Sequence, residues 1–144
     1  MEGPLDQAAI QRQLSAVPLF SGLSPKLLHT LSFTAADKSF LPGEVVVKQG
    51  DKSIGLYIVV EGKVDVEKAG KTAATLGPGQ YFGEMALLDE EPRTATVKAA
   101  TRCRCLVVYS WEFWSTVGKD PEALRSLLKE SVRRLRGSAP APED

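Results

Sequence analysis

Between Phe82 and Val97 the chain reads FGEMALLDEEPRTATV, and a few of these residues have types and spacing suited to binding chemistry. Glu84 follows Gly83 and opens a short apolar, helix-favouring run, Met85-Ala86-Leu87-Leu88. Arg93 follows Pro92 and precedes Thr94 and Ala95. A single helical turn starts with backbone N–H groups that its own carbonyls leave free, and these form a ready anion site. An arginine fork holds a phosphate through two parallel hydrogen bonds, and the Thr94 hydroxyl adds a donor. Arg93 is also the one basic residue between Lys71 and Lys98. Glu84 would repel an anion that touched it, so its better task is to accept a hydrogen bond from a ligand hydroxyl nearby. A phosphate and a hydroxyl, held inside an apolar β-structure, suggest a nucleotide. The competing reading is simpler: Glu84 and Arg93 pair with each other across a hairpin.

The elements that must position these residues are legible in outline. Asp6 precedes QAAIQRQLSAV, where Ala9, Ile10, Leu14 and Val17 recur at helical spacing. Ser24-Pro25 offers an N-cap followed by proline at the first helical position, and KLLHTLSF continues as a second short helix. From Lys38 the period changes to short β-rich runs: KSFL, EVVVK, LYIVV, KVDVEK, TAATL, TATVKA and CRCLVV. Eight glycines fall between Gly43 and Gly83, at the spacing that tight turns of an antiparallel roll require. No alternation of strands with long helices suggests a parallel sheet. After Val108 the helical period returns. Ser110 is expected to cap WEFWSTVG, Asp120-Pro121 starts a helix through EALRSLLKESVRRLR, and Gly137 ends it. The fold class expected is α+β: a jelly-roll-like antiparallel β-roll over 36–109, with N-terminal helices over 5–35 and two C-terminal helices over 110–136. The tail 137–144 reads as disordered.

Composition narrows the partners. Eighteen basic residues balance eighteen acidic ones, so no general affinity for nucleic acid is signalled. The start of the chain lacks the pattern of a signal peptide, and no run approaches the roughly 20 apolar residues of a membrane helix. The expectation is a cytoplasmic protein that inserts no segment into a membrane. Cys103 and Cys105 in TRCRCLVVY lie on one face of a strand, read as core residues. A Cys-x-Cys pair with His29 as the single histidine cannot complete a zinc site, so neither a metal nor a cofactor is expected. The same shortage excludes a metal-dependent enzyme on a similar β-roll. Glu84 and Arg93 supply no nucleophile–base pair either, so no enzymatic activity is expected.

The segment Phe82–Val97 resembles the phosphate-binding cassette of the cyclic-nucleotide-binding domain family, of the form F-G-E-[LM]-A-L…P-R-[STA]-A-x-V. VPLFSGLS at 17–24, LPGEVVVKQGD, LYIVVEGKVDV and LGPGQYFGE extend the likeness over most of residues 14–136. The resemblance implies that Gly83 and the amides of Met85 and Ala86 line the ligand's backbone-contact surface. It implies that Glu84 accepts the ribose 2′-hydroxyl and that Arg93 holds the cyclic phosphate, with Thr94 and Ala95 completing the cassette. Thr94 would donate to the phosphate or, with a syn guanine, to the base, which leaves cyclic AMP and cyclic GMP both open. Val64 and Val66 would line the base pocket. One departure stands out: Asp89-Glu90-Glu91 occupies a place where many members have a turn glycine, and is read as a solvated turn.

In this family the last helix closes over the base when ligand binds. On residues 121–136, Leu124, Leu127, Leu128, Val132 and Leu135 form an apolar face that is expected to pack on the roll, opposite Arg125, Lys129, Arg133 and Arg136. Leu128, Lys129 and Val132 are the candidates to cap the base. The function expected is a ligand sensor that converts occupancy by a cyclic nucleotide into movement of this helix. Its host would be a stand-alone sensor or a domain of a channel or other larger protein, its effector lying outside this chain. The alternative is an interaction module that keeps the fold and has lost the ligand.

Overall fold

Apolar residues alternate along the middle of the chain, so each central strand has two faces to bury, and two separate cores receive them. The computed structural model describes residues 3, 5–89 and 91–137, and within them eight strands form two antiparallel four-stranded sheets. The strands are β1 (Ala36–Phe40), β2 (Val45–Val47), β3 (Gly55–Glu61), β4 (Val64–Lys68), β5 (Lys71–Leu76), β6 (Tyr81–Phe82), β7 (Thr96–Ala99) and β8 (Cys103–Tyr109). One sheet has the order β1-β8-β3-β6 and the other β2-β7-β4-β5. The chain switches sheets repeatedly between consecutive strands, and this winds the two sheets into a roll. The sequence pattern yields seven of these strands; β6 has two residues, too few to show an alternation.

The roll's interior holds Tyr57, Val59, Val64, Val66, Phe82, Val97, Cys103, Cys105 and Val107, all buried. Both cysteines are free thiols there, and burial pushes the Cys105 thiol up to about 12. They are inert core residues, as their place on one strand face suggests. The opposite faces of β3 and β8 carry Leu56, Ile58, Leu106 and Val108 into a second core with the helices.

Those helices are α1 (Gln7–Ser15), α2 (Pro25–Ser32), α3 (Ala86–Asp89), α4 (Ser110–Val117) and α5 (Pro121–Gly137), with a 3-10 turn at Pro18–Phe20. Their starts follow the local chemistry. Asp6 accepts from the Ala9 amide at 2.7 Å, Ser24 from the Leu27 amide at 3.1 Å, and Asp120 from the Glu122 and Ala123 amides at 3.0 and 3.3 Å. Ser110 departs from expectation. It is the first residue inside α4, its amide donates to Ile54 O at 2.9 Å, and Tyr109 occupies the cap position without a side-chain bond. Burial of Ser110 against the start of β3 takes it out of the capping role.

α5 also departs from expectation. Its buried residues are Ala123, Leu127 and Glu130, whereas Leu124, Leu128, Val132 and Leu135 are exposed. The helix therefore lies on the domain through a narrow, partly polar face. Ser126 fixes it further, donating to Gly22 O at 3.1 Å. The tail read as disordered falls, beyond Gly137, outside the described residues.

One ion cluster ties β8 to its neighbours. Arg104 is 3% exposed, bonds Asp37 at 2.8 and 2.6 Å and Glu61 at 3.3 Å, and donates to Gly3 O at 2.6 Å. The Arg104 hydrogen bonds hold the Asp37 carboxyl below its usual range. A carboxylate with a depressed folded-state pKa contributes stability above its unfolded pKa of about 3.9 and loses it as pH falls through the folded value. Asp37→Asn should therefore destabilise the protein at pH 7 by about 0.5–1.5 kcal/mol, because Arg104 is buried but Asp37 is exposed enough for solvent to screen the pair. The gap to the parent protein should close below about pH 4. Urea unfolding at pH 7 and pH 3 checks both halves of this expectation.

Candidate functional site

Gly83 is where the backbone geometry of the site is decided. Its φ is +84°, a conformation that L side chains rarely adopt, and a Cβ there would meet Arg93 Nη1 at 2.4 Å and Gly55 O at 2.7 Å. The missing side chain lets the Arg93 guanidinium lie directly against the start of the cassette. Arg93 Nη2 donates to Gly55 O at 2.7 Å, and the residue is 3% exposed. Tyr57 and Phe82 stack at 5.0 Å, and the guanidinium carbon sits 5.6 and 6.0 Å from their ring centroids. Such proximity to ring faces favours a cation. The backbone is clamped too: Arg93 N donates to Asp51 O and Gly50 N donates to Arg93 O, each at 2.9 Å.

After Gly83 the chain makes its one helical turn. Ala86 N donates to Gly83 O at 3.0 Å and Leu87 N to Glu84 O at 3.2 Å. Ala86 and Leu87 are buried beneath it, whereas Met85 and Leu88 are 46% and 40% exposed. The turn is thus an apolar plug that starts from Gly83, the residue set against Arg93, and its Ala86 amide is already bonded to Gly83 O. Trp114 of α4 anchors it from below, its indole Nε1 donating to Leu87 O at 2.6 Å. On the other side of Arg93, Thr94 is exposed and Ala95 is buried at 4%. Val64 and Val66 are buried in the roll with Ala95 and Val97.

Glu84 and Arg93 do not pair across a hairpin in this structure. Glu84 instead bonds Arg134 of α5 through Oε1, and this bond raises the arginine's pKa. The Glu84 side chain is 13% exposed, and its Oε2 is buried without a hydrogen-bond partner among the described residues. A buried carboxylate oxygen with no donor costs free energy, and the cost is removed by any hydroxyl or N–H that reaches it.

The structure sets Gly83 against Arg93, with Glu84, Met85 and Ala86 following the glycine and Thr94 and Ala95 following the arginine along the chain. It does not bring Leu128, Lys129 or Val132 there: all three are exposed on α5, on faces other than the one carrying Ala123 and Leu127. The α5 residue that reaches the cassette is Arg134, and Trp114 is the α4 residue that does so. Neither was singled out from sequence. Arg134 is one of three arginines in the run RRLRG with nothing to mark it, although it falls on the same helix face as Leu127 and Glu130, which is a signal visible in hindsight.

Comparison with known proteins places this geometry. Residues 37–120 match the family described as the cyclic nucleotide-binding domain. The chain is 37% identical over 126 residues to a cyclic nucleotide-gated potassium channel of Mesorhizobium japonicum, covering 88% of this chain and 35% of that protein. It thus spans about a third of that relative's length. Among solved structures, the N-terminal domain of a transcriptional regulator from Streptomyces coelicolor superposes with a TM-score of 0.78 at 31% identity, covering 86% of this chain and 90% of that one. The regulatory domain of Toxoplasma gondii PKA, crystallised with cAMP, gives 0.69 at 25% identity over 89% of this chain and 50% of that one. With the cassette, the roll and the match over more than half of its length in agreement, the chain belongs to the cyclic nucleotide-binding domain family.

Proposed function

We propose that this protein is a regulatory sensor that binds a 3′,5′-cyclic nucleotide at the cassette and relays occupancy through α5. The observation that carries the reading is the buried Oε2 of Glu84, without a hydrogen-bond partner among the described residues, on the residue that follows the glycine packed against the buried Arg93 guanidinium. A cyclic nucleotide offers both complements within one rigid ring system: a phosphate monoanion for Arg93 and a ribose hydroxyl for Glu84. Gly83 and the first peptides of the turn admit the phosphate closely, and Thr94 donates at its rim. The base extends along the roll toward Val64 and Val66.

The two oxygens of Glu84 then have separate tasks. Oε1 holds Arg134, and Oε2 accepts the ligand hydroxyl, so one carboxylate couples the pocket to the last helix. A ligand that fixes Glu84 strengthens the contact that keeps α5 closed, which is the differential interaction a population shift needs. Trp114 gives the cassette a second link to the C-terminal helices through Leu87. Leu128, Lys129 and Val132 would need a rotation of α5 to meet the base, so Arg134 is the better candidate for the closing contact.

The sensing unit is assigned to residues 5–136, with no catalysis and no metal or cofactor beyond the ligand. No described helix is long and apolar enough to cross a membrane. This fits a cytoplasmic module whose effector, a channel pore or another domain, lies outside these residues. The different-class alternative, an interaction module that binds no nucleotide, is decided by the same titrations.

Arg93→Ala should weaken binding of cyclic AMP and cyclic GMP at least about 30-fold, because truncating one partner of a desolvated charge pair costs about 2–5 kcal/mol. Titration calorimetry on a variant whose thermal unfolding remains cooperative measures this. Unchanged affinity would remove Arg93 from the site, and no binding heat from the parent protein with either nucleotide would favour the interaction module.

Thr94→Ala should lower cyclic GMP affinity more than cyclic AMP affinity, by the roughly 0.5–1.5 kcal/mol of one neutral hydrogen bond. Equal losses would restrict Thr94 to the phosphate.

Arg134→Ala should weaken either ligand about 2- to 12-fold, again one hydrogen bond in size, and raise amide exchange in the last turns of α5. If exchange there is the same in parent and variant, with and without ligand, α5 does not close through Glu84.

A further inference from the structure

Glu84 Oε2 is one buried side-chain atom without a hydrogen-bond partner among the described residues, and Ser53 Oγ is another. Ser53 is 1% exposed. A serine hydroxyl offers one donor and two acceptor sites, and leaving all of them unused out of water is unfavourable. Ser32, equally buried, shows the ordinary solution: its hydroxyl donates to His29 O at 2.5 Å and accepts from Gln7 Nε2. A buried polar group that bonds nothing in a native fold calls for an explanation.

The place of Ser53 in the chain supplies one. It is the midpoint of a segment that holds Arg93 from both ends: Asp51 O accepts from the Arg93 amide at 2.9 Å, and Gly55 O accepts from Arg93 Nη2 at 2.7 Å. Tyr57 and Val59 of β3 fill the roll, whereas Leu56 and Ile58 meet the helices. Side chains alternate along an extended chain, so counting back by twos sets Gly55 and Ser53 on the roll side. That is the side on which the Arg93 guanidinium lies near the Tyr57 ring. Ile54 O accepts from the Ser110 amide at 2.9 Å, which fixes the segment against the start of α4.

A guanidinium has five N–H donors, and a phosphate held by its fork takes two of them. Gly55 O takes a third. For a side chain this deeply buried, the remaining donors need protein acceptors in place of water. We propose that Ser53 is a positioning residue of the anion site: its hydroxyl accepts an Arg93 N–H when the guanidinium turns to meet a phosphate. This role rests on the nucleotide reading of the cassette and adds a residue to it from outside the cassette. The competing explanation is a serine retained for small size in a tight loop, where alanine would bind ligand as well.

The two explanations differ in how stability and affinity move together. Titration calorimetry with cyclic AMP and cyclic GMP should show Ser53→Ala binding both about tenfold more weakly, the lower end for a hydrogen bond to a charged group made only in the complex. Thermal unfolding of the same variant without nucleotide should show a midpoint equal to the parent's or higher, because a buried polar atom that bonds nothing has been removed. In Arg93→Lys, which keeps the charge without the fork, adding Ser53→Ala should change affinity less than about twofold, since no guanidinium remains to be positioned. A lower midpoint in Ser53→Ala overturns the proposal, because the hydroxyl would then have a structural partner in the folded chain. So does a tenfold loss that persists in Arg93→Lys. If the parent binds a nucleotide and Ser53→Ala binds it equally well, Ser53 alone leaves the site. A parent that binds neither nucleotide removes the cassette reading and this role with it.

Discussion

A guanidinium taken almost wholly out of water is the constraint around which the rest of this domain is arranged. Ionised groups tolerate burial only where hydrogen bonds, aromatic faces or counter-charges replace the lost solvent. Around Arg93 the replacements come from three separate places in the chain. Gly55 supplies a carbonyl from the start of β3, Tyr57 and Phe82 supply stacked rings from β3 and β6, and Gly83 supplies room. The loop before β3 clamps the backbone through Gly50 and Asp51. None of these groups is near Arg93 in sequence except the cassette itself, and only a roll that returns β6 and β7 to the start of β3 collects them. The roll is thus what makes the site possible, and its two cores are what hold the roll.

β8 shows how one strand serves both cores. Its odd-numbered residues Cys103, Cys105 and Val107 fill the roll, and its even-numbered Leu106 and Val108 meet the helices. Arg104 shares the helix-side face but stands near the start of the strand, where the acids Asp37 and Glu61 flank it and Gly3 O accepts from it. The strand lies between β1 and β3 in its sheet, so a one-residue slip would put the arginine into the roll and the valines onto the wrong side. The ion cluster and the alternation specify the same register. Arg104 and Arg93 are both buried cations, and acids on neighbouring strands lie against the first while a carbonyl and two aromatic rings lie against the second.

Much of this was legible from residue types. The helix starts at Asp6, Ser24 and Asp120 declare themselves because a capping side chain acts on amides two or three residues away. The strands declare themselves by alternation where they are long enough, and the cassette by a run of residues with few other uses. What was not legible depends on distance across the fold. Ser110 has a capping residue's type, but the burial of its turn against Ile54 settles its place. The leucines of α5 have the pattern of an inward face, and the helix nevertheless rests on Ala123, Leu127 and Glu130. Periodicity shows that a helix has an apolar side without showing what that side meets. A helix with more apolar surface than one neighbour can cover leaves the choice of side to tertiary contacts such as Ser126 with Gly22 and Arg134 with Glu84.

The indole of Trp114 reports on the cassette without any label. The chain has two tryptophans, and their surroundings differ: Trp111 is 58% exposed and stacks on Tyr109, while Trp114 is half-buried, edge-on to Phe113, and bonded through Nε1 to Leu87 O. An indole N–H held by a carbonyl in an apolar setting emits at shorter wavelength than one in water. A movement of the turn that follows Glu84 alters that bond, so the short-wavelength share of the emission, that of Trp114, follows the turn while the share of exposed Trp111 does not.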